Sequence, residues 1–415
     1  FIIEAYHPHL PLSNTGPCVF SGGNPLFGFA NFLLLALFAA AVFDLIFALA
    51  RGSGLRRALH GLWNTPHLLF GQQLAEWRLQ LGRILFAAGL AAYEISVVFC
   101  NSMARQNWAW VQGVMSPVLE WLAFLCFGAK ILFGTRYTWR ELLAGGALYF
   151  IARWVYFNSQ NIWWIGIVVA VLAAKDVPLR RPLQVYFASG CAAMAVVLAL
   201  HFAGIVAPDL TSERMGALRG TYGYGHPNTF GGLVFGLVLA YALLRAQKVR
   251  WVDCLLVFAV GVFLLVGPAS RSAALCTLAL AVGLVFCRLR AGHSVPRWWP
   301  GTCAGMVGLT AAVSYLLPLL VIKVGPWNND IGPAWLAKLD SLLTCRISLT
   351  WMAYRLLDVK IAGQVFNWPT VDNSFAFALF QFGPVVAAPN RAAGLRFAAC
   401  LPCWLTPIWK FSPST

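Results

Sequence analysis

Long apolar runs recur along this chain, and they constrain its fold before any single residue is considered. Their bounds, good to a few residues, are 26–50, 84–100, 114–134, 142–157, 162–174, 183–207, 229–244, 252–267, 272–287, 301–325 and 373–388. A helix needs ~20 apolar residues to cross the hydrocarbon core. The expectation is therefore an all-α, polytopic integral membrane protein with about eleven transmembrane helices. The 162–174 run is short for a span and reads as re-entrant or joined to the run before it. Charged residues make up 11% of the chain, against about 25% in a soluble domain.

The formal charge is +16, which on a soluble protein would raise nucleic acid as a partner. Its placement argues for membrane topology instead. With the N-terminus outside, the inside loops hold Arg51, Arg56, Arg57, Arg78 and Arg83, then Arg136 and Arg140, then Lys175, Arg180 and Arg181, then Arg245, Lys248 and Arg250, then Arg288, Arg290 and Arg297. Short outside loops carry few cations: Arg105, Arg214, Arg219 and Arg271. This is the positive-inside bias, and it fits no nucleic-acid module.

The expected organisation is an extracytoplasmic segment 1–25, a helical bundle 26–325, a long extracytoplasmic loop 326–372, a last clear span 373–388 and a Pro-rich tail 389–415. Segment 1–25 lacks the basic start and cleavage site of a signal peptide, which suggests a fragment or a shifted start. The tail suggests truncation. Within the long loop, 339–359 has helical spacing suited to lying along the membrane surface. Asp44, Glu94, Glu120, Lys130 and Arg153 fall inside apolar runs and should face the bundle interior or an interface, Lys130 and Arg153 being near enough to span ends to snorkel. The eleven cysteines are scattered singly except for Cys400 and Cys403, which have no partner pair. No metal-ligand cluster and no P-loop GxxxxGK[ST] occurs, so neither a cofactor, a metal nor ATP-driven work is expected.

Four polar clusters fall on the outside face. The first, Arg219 to Gly231, reads RGTYGYGHPNTFG. Pro227 is placed to begin a helix with Asn228 at its start, and a helix N-terminus facing water favours anions. The plainer reading is a Gly-rich turn. The second is Gly267 to Ser272, GPASRS; Arg271 departs from the inside bias and either binds phosphate oxygens through its planar guanidinium or snorkels to headgroups. The third, Asp340 to Arg346, places a second cation on the same side, or is a solvated amphipathic face. The fourth is Val371 to Ser374, where Asp372 either caps the last span or serves as a general base.

Taken together, the clusters resemble those of bacterial polysaccharide repeat-unit polymerases of the Wzy type, in the O-antigen polymerase and ligase superfamily, and most closely the Gram-positive capsule and exopolysaccharide branch. The resemblance rests on Gly223-Tyr-Gly-His-Pro-Asn228, on Ser270-Arg271, on Leu342-Leu-Thr-Cys-Arg346 followed by Gly363-Gln364, and on Asp372-Asn-Ser374, in that order over residues 115–383. Cys345 stands where the pattern favours Gly. A ligase is expected to carry a His in the long outer loop, and 326–372 has none.

The resemblance implies glycosyl transfer at the outer face of the plasma membrane, from a polyprenyl-diphosphate-linked oligosaccharide to a sugar hydroxyl on another lipid-linked unit. Arg271 and Arg346 would stabilise the departing diphosphate, and Asp372 or His226 would deprotonate the acceptor. Arg219, Tyr224, Asn228, Ser270, Gln364 and Asn373 would bind substrate. Expected partners are the lipid-linked glycan, membrane lipids, and flippase and chain-length regulator proteins. The competing readings are an O-antigen-ligase-like transferase and a transporter of lipid-linked glycans. Paired halves with broken helices at mid-depth would mark a transporter; here the polar clusters lie at one surface.

Overall fold

The computed structural model describes residues 25–72, 76–206, 212–214, 217–290, 299–321, 333–343, 345–365 and 374–384. Helix dominates. Each apolar run carries one: α1 (Pro25–Ala50), α3 (Glu76–Cys100), α5 (Ser116–Phe133), α6 (Trp139–Ser159), α7 (Trp163–Ala174), α8 (Arg180–Phe202), α9 (Pro227–Arg245), α10 (Trp251–Val266), α11 (Arg271–Leu289), α12 (Trp299–Leu316) and α15 (Ser374–Phe382). Between them lie the short helices α2 (Leu55–Asn64), α4 (Ala104–Asn107), α13 (Ala334–Leu342) and α14 (Arg346–Leu356). Two small antiparallel ladders close loops, β1 (His67–Leu68) with β2 (Arg136–Tyr137) and β3 (Ser212–Arg214) with β4 (Ala217–Arg219).

Six helical segments are long and apolar enough to cross a membrane: Pro25–Ala50, Glu76–Cys100, Val111–Phe133, Arg180–Phe202, Pro227–Arg245 and Arg271–Leu289. α7 and α10 are apolar but shorter. The protein is thus all-α and membrane-embedded, with six helices among the described residues meeting the length and apolarity of a span where about eleven were expected from the ~20-residue rule. Of the other runs, α6 has 21 residues but includes Arg140, Glu141 and Arg153, and α7, α10 and α15 are short. The 162–174 run is a separate helix of 12 residues, cut from α6 by a left-handed turn at Gln160. The run that opens near 373 gives a helix of 9 residues that stops at Gly383, where φ is +75°.

The chain divides into two compact units, a larger one within 14–147 and 166–291 and a smaller one within 148–165 and 292–415. In the larger unit the helices pack as a row of neighbours: α1 on α5, α5 on α3, α3 on α8, α8 on α9, α9 on α11 and α11 on α10. Lipid tails are as apolar as leucine, so such packing depends on close approach of small residues. The α3–α5 contact shows it: a methyl group on Gly82 would lie 2.6 Å from the carbonyl oxygen of Gly134. Large apolar side chains that are not needed for packing point outward, as Phe32, Leu35, Phe38 and Ile46 of α1 do at 60–68% exposure.

Charges inside the runs turn inward. Asp44, Glu94, Glu120 and Lys130 are all buried. Asp44 accepts from the Gly71 amide at 2.6 Å and pairs with His67 Nε2 at 3.1 Å, pinning the following loop to α1. Lys130 does not snorkel; its ammonium donates to Thr135 Oγ1 at 2.9 Å and to the Lys175 carbonyl at 2.7 Å. Arg153 is half-buried, with its guanidinium 5.3 Å from the Phe157 ring centre.

In the smaller unit, Val155 and Phe382 share a core with Ile151, Trp164, Phe377 and Ala378. Val321, Leu336 and Ile347 form a second. The helical stretch expected over 339–359 is two helices, α13 and α14, broken at 343–345.

Candidate functional site

The segment from Arg219 to Gly231 folds compactly against the end of α8 and the starts of α9 and α11. Tyr222 and Gly223 both take left-handed backbone, at φ +51° and +80°. That reverses the chain and brings the Gly223 carbonyl to the Met103 amide at 2.8 Å and Tyr224 beside Ser102 in a β-bridge. The Tyr222 ring stacks on Phe230, centroids 5.0 Å apart, and leans on Phe263 at 5.6 Å. Tyr224 is fully buried against Val98, Val197 and Phe230. Burial, reinforced by the nearby Glu94, pushes its phenol well above the usual range, so it stays neutral and acts as a packed pillar.

His226 ends the loop as the N-cap of α9. Its Nδ1 accepts from the Asn228 amide at 3.1 Å, and Pro227 follows at the first helical position. Accepting at Nδ1 assigns the ring proton of the neutral imidazole to Nε2. In this state His226 can donate to a ligand through Nε2, while acting as a base there would require the other tautomer and loss of the cap.

The second cluster meets the first directly. Gly267 to Ser270 carries the chain from α10 into α11 with Ala269 at φ +49°, and Ser270 caps α11 by accepting from the Ala274 amide through its carbonyl at 2.9 Å. Arg219 clamps the two clusters together. It is 5% exposed; its Nε donates to the Pro268 carbonyl at 3.3 Å, and one terminal nitrogen donates to the Ala269 carbonyl at 3.2 Å and to Asn228 Oδ1 at 3.1 Å. Ser270 Oγ donates to the same Asn228 oxygen at 3.4 Å. The starts of α9 and α11 are thereby held side by side. Each contributes the positive end of a helix dipole and its first-turn amides. Arg271, in the first turn of α11, is exposed.

Five of the expected residues, Arg219, His226, Asn228, Ser270 and Arg271, are therefore assembled in one place, with Tyr224 buried beneath them. Their environments differ. Arg219 and Ser270 are buried braces, Asn228 is the acceptor that joins them, and Arg271 presents its charge to the surroundings.

Arg346 and Gln364 belong to the smaller unit. Arg346 opens α14 directly after Cys345, which sits in left-handed backbone at φ +62°. The turn into α14 is therefore made by a residue with a side chain. Left-handed backbone costs a non-Gly residue roughly 1–2 kcal/mol, partly offset by the greater chain entropy Gly loses on folding. Cys345→Gly is accordingly expected to raise stability by up to about 1 kcal/mol, read as a higher unfolding midpoint in detergent; a lowered midpoint would mean the Cys345 side chain contributes more than the strain costs. Gln364 is half-buried and its side-chain amide donates to the Asp358 carbonyl at 2.8 Å, while its backbone amide donates to the Gln381 carbonyl at 3.2 Å. That engages it in docking the 358–365 loop on the end of α15. Asp372 and Asn373 lie outside the described residues.

Two contributors were not anticipated from the sequence. Tyr222 fills the space under the GPASR turn, its hydroxyl lying against Gly267. Asp340, noted only as part of a polar cluster, is fully buried and holds the start of α14. Among the described residues no group of three or more His, Cys, Asp or Glu could hold a metal ion. No protein-family model matches the chain, and neither a curated protein nor a solved structure matches it.

Proposed function

We propose that this chain is a membrane glycosyltransferase that polymerises polyprenyl-diphosphate-linked oligosaccharide repeat units into surface polysaccharide on the outer leaflet of the plasma membrane. One observation carries the reading: two helix starts, His226–Asn228 and Ser270–Arg271, lie side by side with an exposed guanidinium at the second. A diphosphate leaving group carries several negative charges, and helix N-termini with an adjacent Arg provide fixed complementary charge without a metal.

In this mechanism the acceptor hydroxyl attacks the anomeric carbon of the donor glycan while the bond to the diphosphate oxygen breaks. The acceptor proton passes to a carboxylate, for which Asp372 is the candidate, and the electron pair leaves with the diphosphate. Arg271 stabilises that charge and His226 donates through Nε2; Arg346 is the second cation that the resemblance implies. One direct displacement inverts the anomeric centre. Flippase and chain-length regulator proteins are the expected partners.

Arg271→Ala should reduce chain extension of lipid-linked repeat units in proteoliposomes by about 10²–10³-fold, the usual cost of one transition-state charge stabiliser. Unchanged polymer length and rate would remove Arg271 from the mechanism. In a deletion strain, accumulation of single-repeat products supports a polymerase, whereas loss of outward-facing lipid-linked units would assign the chain to transport.

A further inference from the structure

α2 is amphipathic at helical spacing. Leu55, Ala58, Leu59, Leu62 and Trp63 fall at i, i+3, i+4, i+7 and i+8, the stripe of a helix with one apolar face. In a packed protein that stripe would be covered. Here only Ala58 is buried, while Leu55, Leu59 and Trp63 are 57%, 38% and 39% exposed. The remaining positions hold Arg56, Arg57, His60, Gly61 and Asn64, all exposed except Gly61. No Asp or Glu occurs between Asp44 and Glu76.

The start of α6 supplies a second wall. Leu59, His60 and Trp63 of α2 face Trp139 and Leu143 across a cavity of about 440 Å³, within the range of small-molecule sites. Arg140 closes one side, donating to Asn64 Oδ1 at 2.7 Å with its guanidinium 5.5 Å from the Trp63 ring centre. The indole N–H of Trp139 has no acceptor among the described residues.

An uncovered apolar groove with Arg140 at its side, Arg56 and Arg57 exposed on the same helix, and Glu141 of the second wall already paired with Lys175, matches one chemistry: an acyl chain attached to a phosphodiester headgroup. We infer that α2 lies in the membrane interface and, with Trp139 and Leu143, forms a binding site for an anionic glycerophospholipid of the leaflet that borders the basic loops. This site is separate from the helix starts of α9 and α11, and it holds whether or not the chain polymerises glycans. Helices of this composition lie in the headgroup region with the apolar face in the acyl boundary, and each Arg near an anionic surface is worth roughly fivefold in affinity.

The test uses the full chain in detergent, titrated with phosphatidylglycerol, phosphatidylcholine or inorganic phosphate and read by native mass spectrometry. Wild-type protein should retain phosphatidylglycerol at least tenfold more tightly than phosphatidylcholine. Arg56→Ala with Arg57→Ala should weaken phosphatidylglycerol by roughly 25-fold, whereas Arg180→Ala with Arg181→Ala, basic residues of another inside loop, should change it less than twofold. Leu59→Trp, which fills the groove and keeps every charge, should lower retention of the lipid while the unfolding midpoint stays within a few degrees. Equal retention of the two lipids, unaltered retention in the Arg56/Arg57 variant, or displacement of the lipid by millimolar inorganic phosphate alone would overturn the inference.

Discussion

Arg219→Ala is expected to lower stability by about 3 kcal/mol, the largest loss of any single substitution in the helix-start site. The loss follows from what the truncation strands. Three acceptors, the carbonyls of Pro268 and Ala269 and the Asn228 amide oxygen, take their donors from one guanidinium. Leaving a buried acceptor unsatisfied costs about 1–3 kcal/mol; the Pro268 carbonyl loses its donor, while the Ala269 carbonyl keeps the Arg271 amide at 3.1 Å and Asn228 keeps a weaker donor in Ser270. Arg219→Lys keeps the charge and loses the fork, because an ammonium on a flexible stem cannot reach two turns at fixed angles as a planar guanidinium does. It should recover less than half of the loss. Thermal unfolding in detergent measures both. An Arg219→Ala midpoint indistinguishable from wild type would mean that the clamp contributes nothing, and that some other contact holds the starts of α9 and α11 together. The substitution should also depress chain extension even though Arg219 is buried, because Arg271 is carried by the turn that Arg219 fixes.

Arg219 and Arg271 look alike in sequence, both cations in short loops that carry few others. Only the carbonyls around them separate a brace from a presented charge, and carbonyls leave no mark in composition. The apolar runs announced the helices because burial in lipid imposes a period and a length that survive in composition. The 162–174 run was legible as too short to span alone, and the left-handed residue that parts it from α6, Gln160, is not registered in composition. The polar clusters at 219–231 and 267–272 were legible as neighbours on one surface. Their joining through Asn228 was not, since it depends on α9 packing against α11 across some 40 residues. α2 could have been found: Leu55, Leu59, Leu62 and Trp63 carry helical spacing, obscured because 10 residues are too few to stand out beside runs of twenty. The break between α13 and α14 leaves no mark at Cys345 in composition, and Asp340, five residues earlier, is the side chain that stabilises it.

Asp340→Ala carries the second large expected effect, about 2–4 kcal/mol. α14 begins without a capping side chain on Cys345, its N-cap residue. Asp340 supplies the cap from the helix before: Oδ1 accepts from the Ile347 amide at 2.7 Å and the Ser348 amide at 3.2 Å, and Oδ2 accepts from Ser348 Oγ at 2.8 Å. Its own backbone carbonyl receives the Cys345 amide at 2.8 Å. The side chain is fully buried, so its charge is balanced by these donors and by the positive end of the α14 dipole. Alanine would take their acceptor from the Ile347 and Ser348 amides, while the Ser348 hydroxyl would keep the Cys345 carbonyl at 3.0 Å. Asp340→Asn is the sharper comparison: it keeps one carbonyl oxygen for the amides but turns an NH₂ toward a donor hydroxyl and removes the charge that the dipole favours. It should fall between wild type and alanine, losing roughly 1–2 kcal/mol. Because Arg346 opens α14, the same substitutions should reduce any activity that needs Arg346 in place, and Ser348→Ala, which removes the hydroxyl's contacts to Oδ2 and to the exposed Cys345 carbonyl but leaves both amides capped, should cost less than either. Unfolding midpoints that follow the order wild type, Ser348→Ala, Asp340→Asn, Asp340→Ala would establish Asp340 as the residue that sets the angle between α13 and α14; an Asp340→Ala protein as stable as wild type would place the turn's stability in the packing of Leu336 on Ile347 instead.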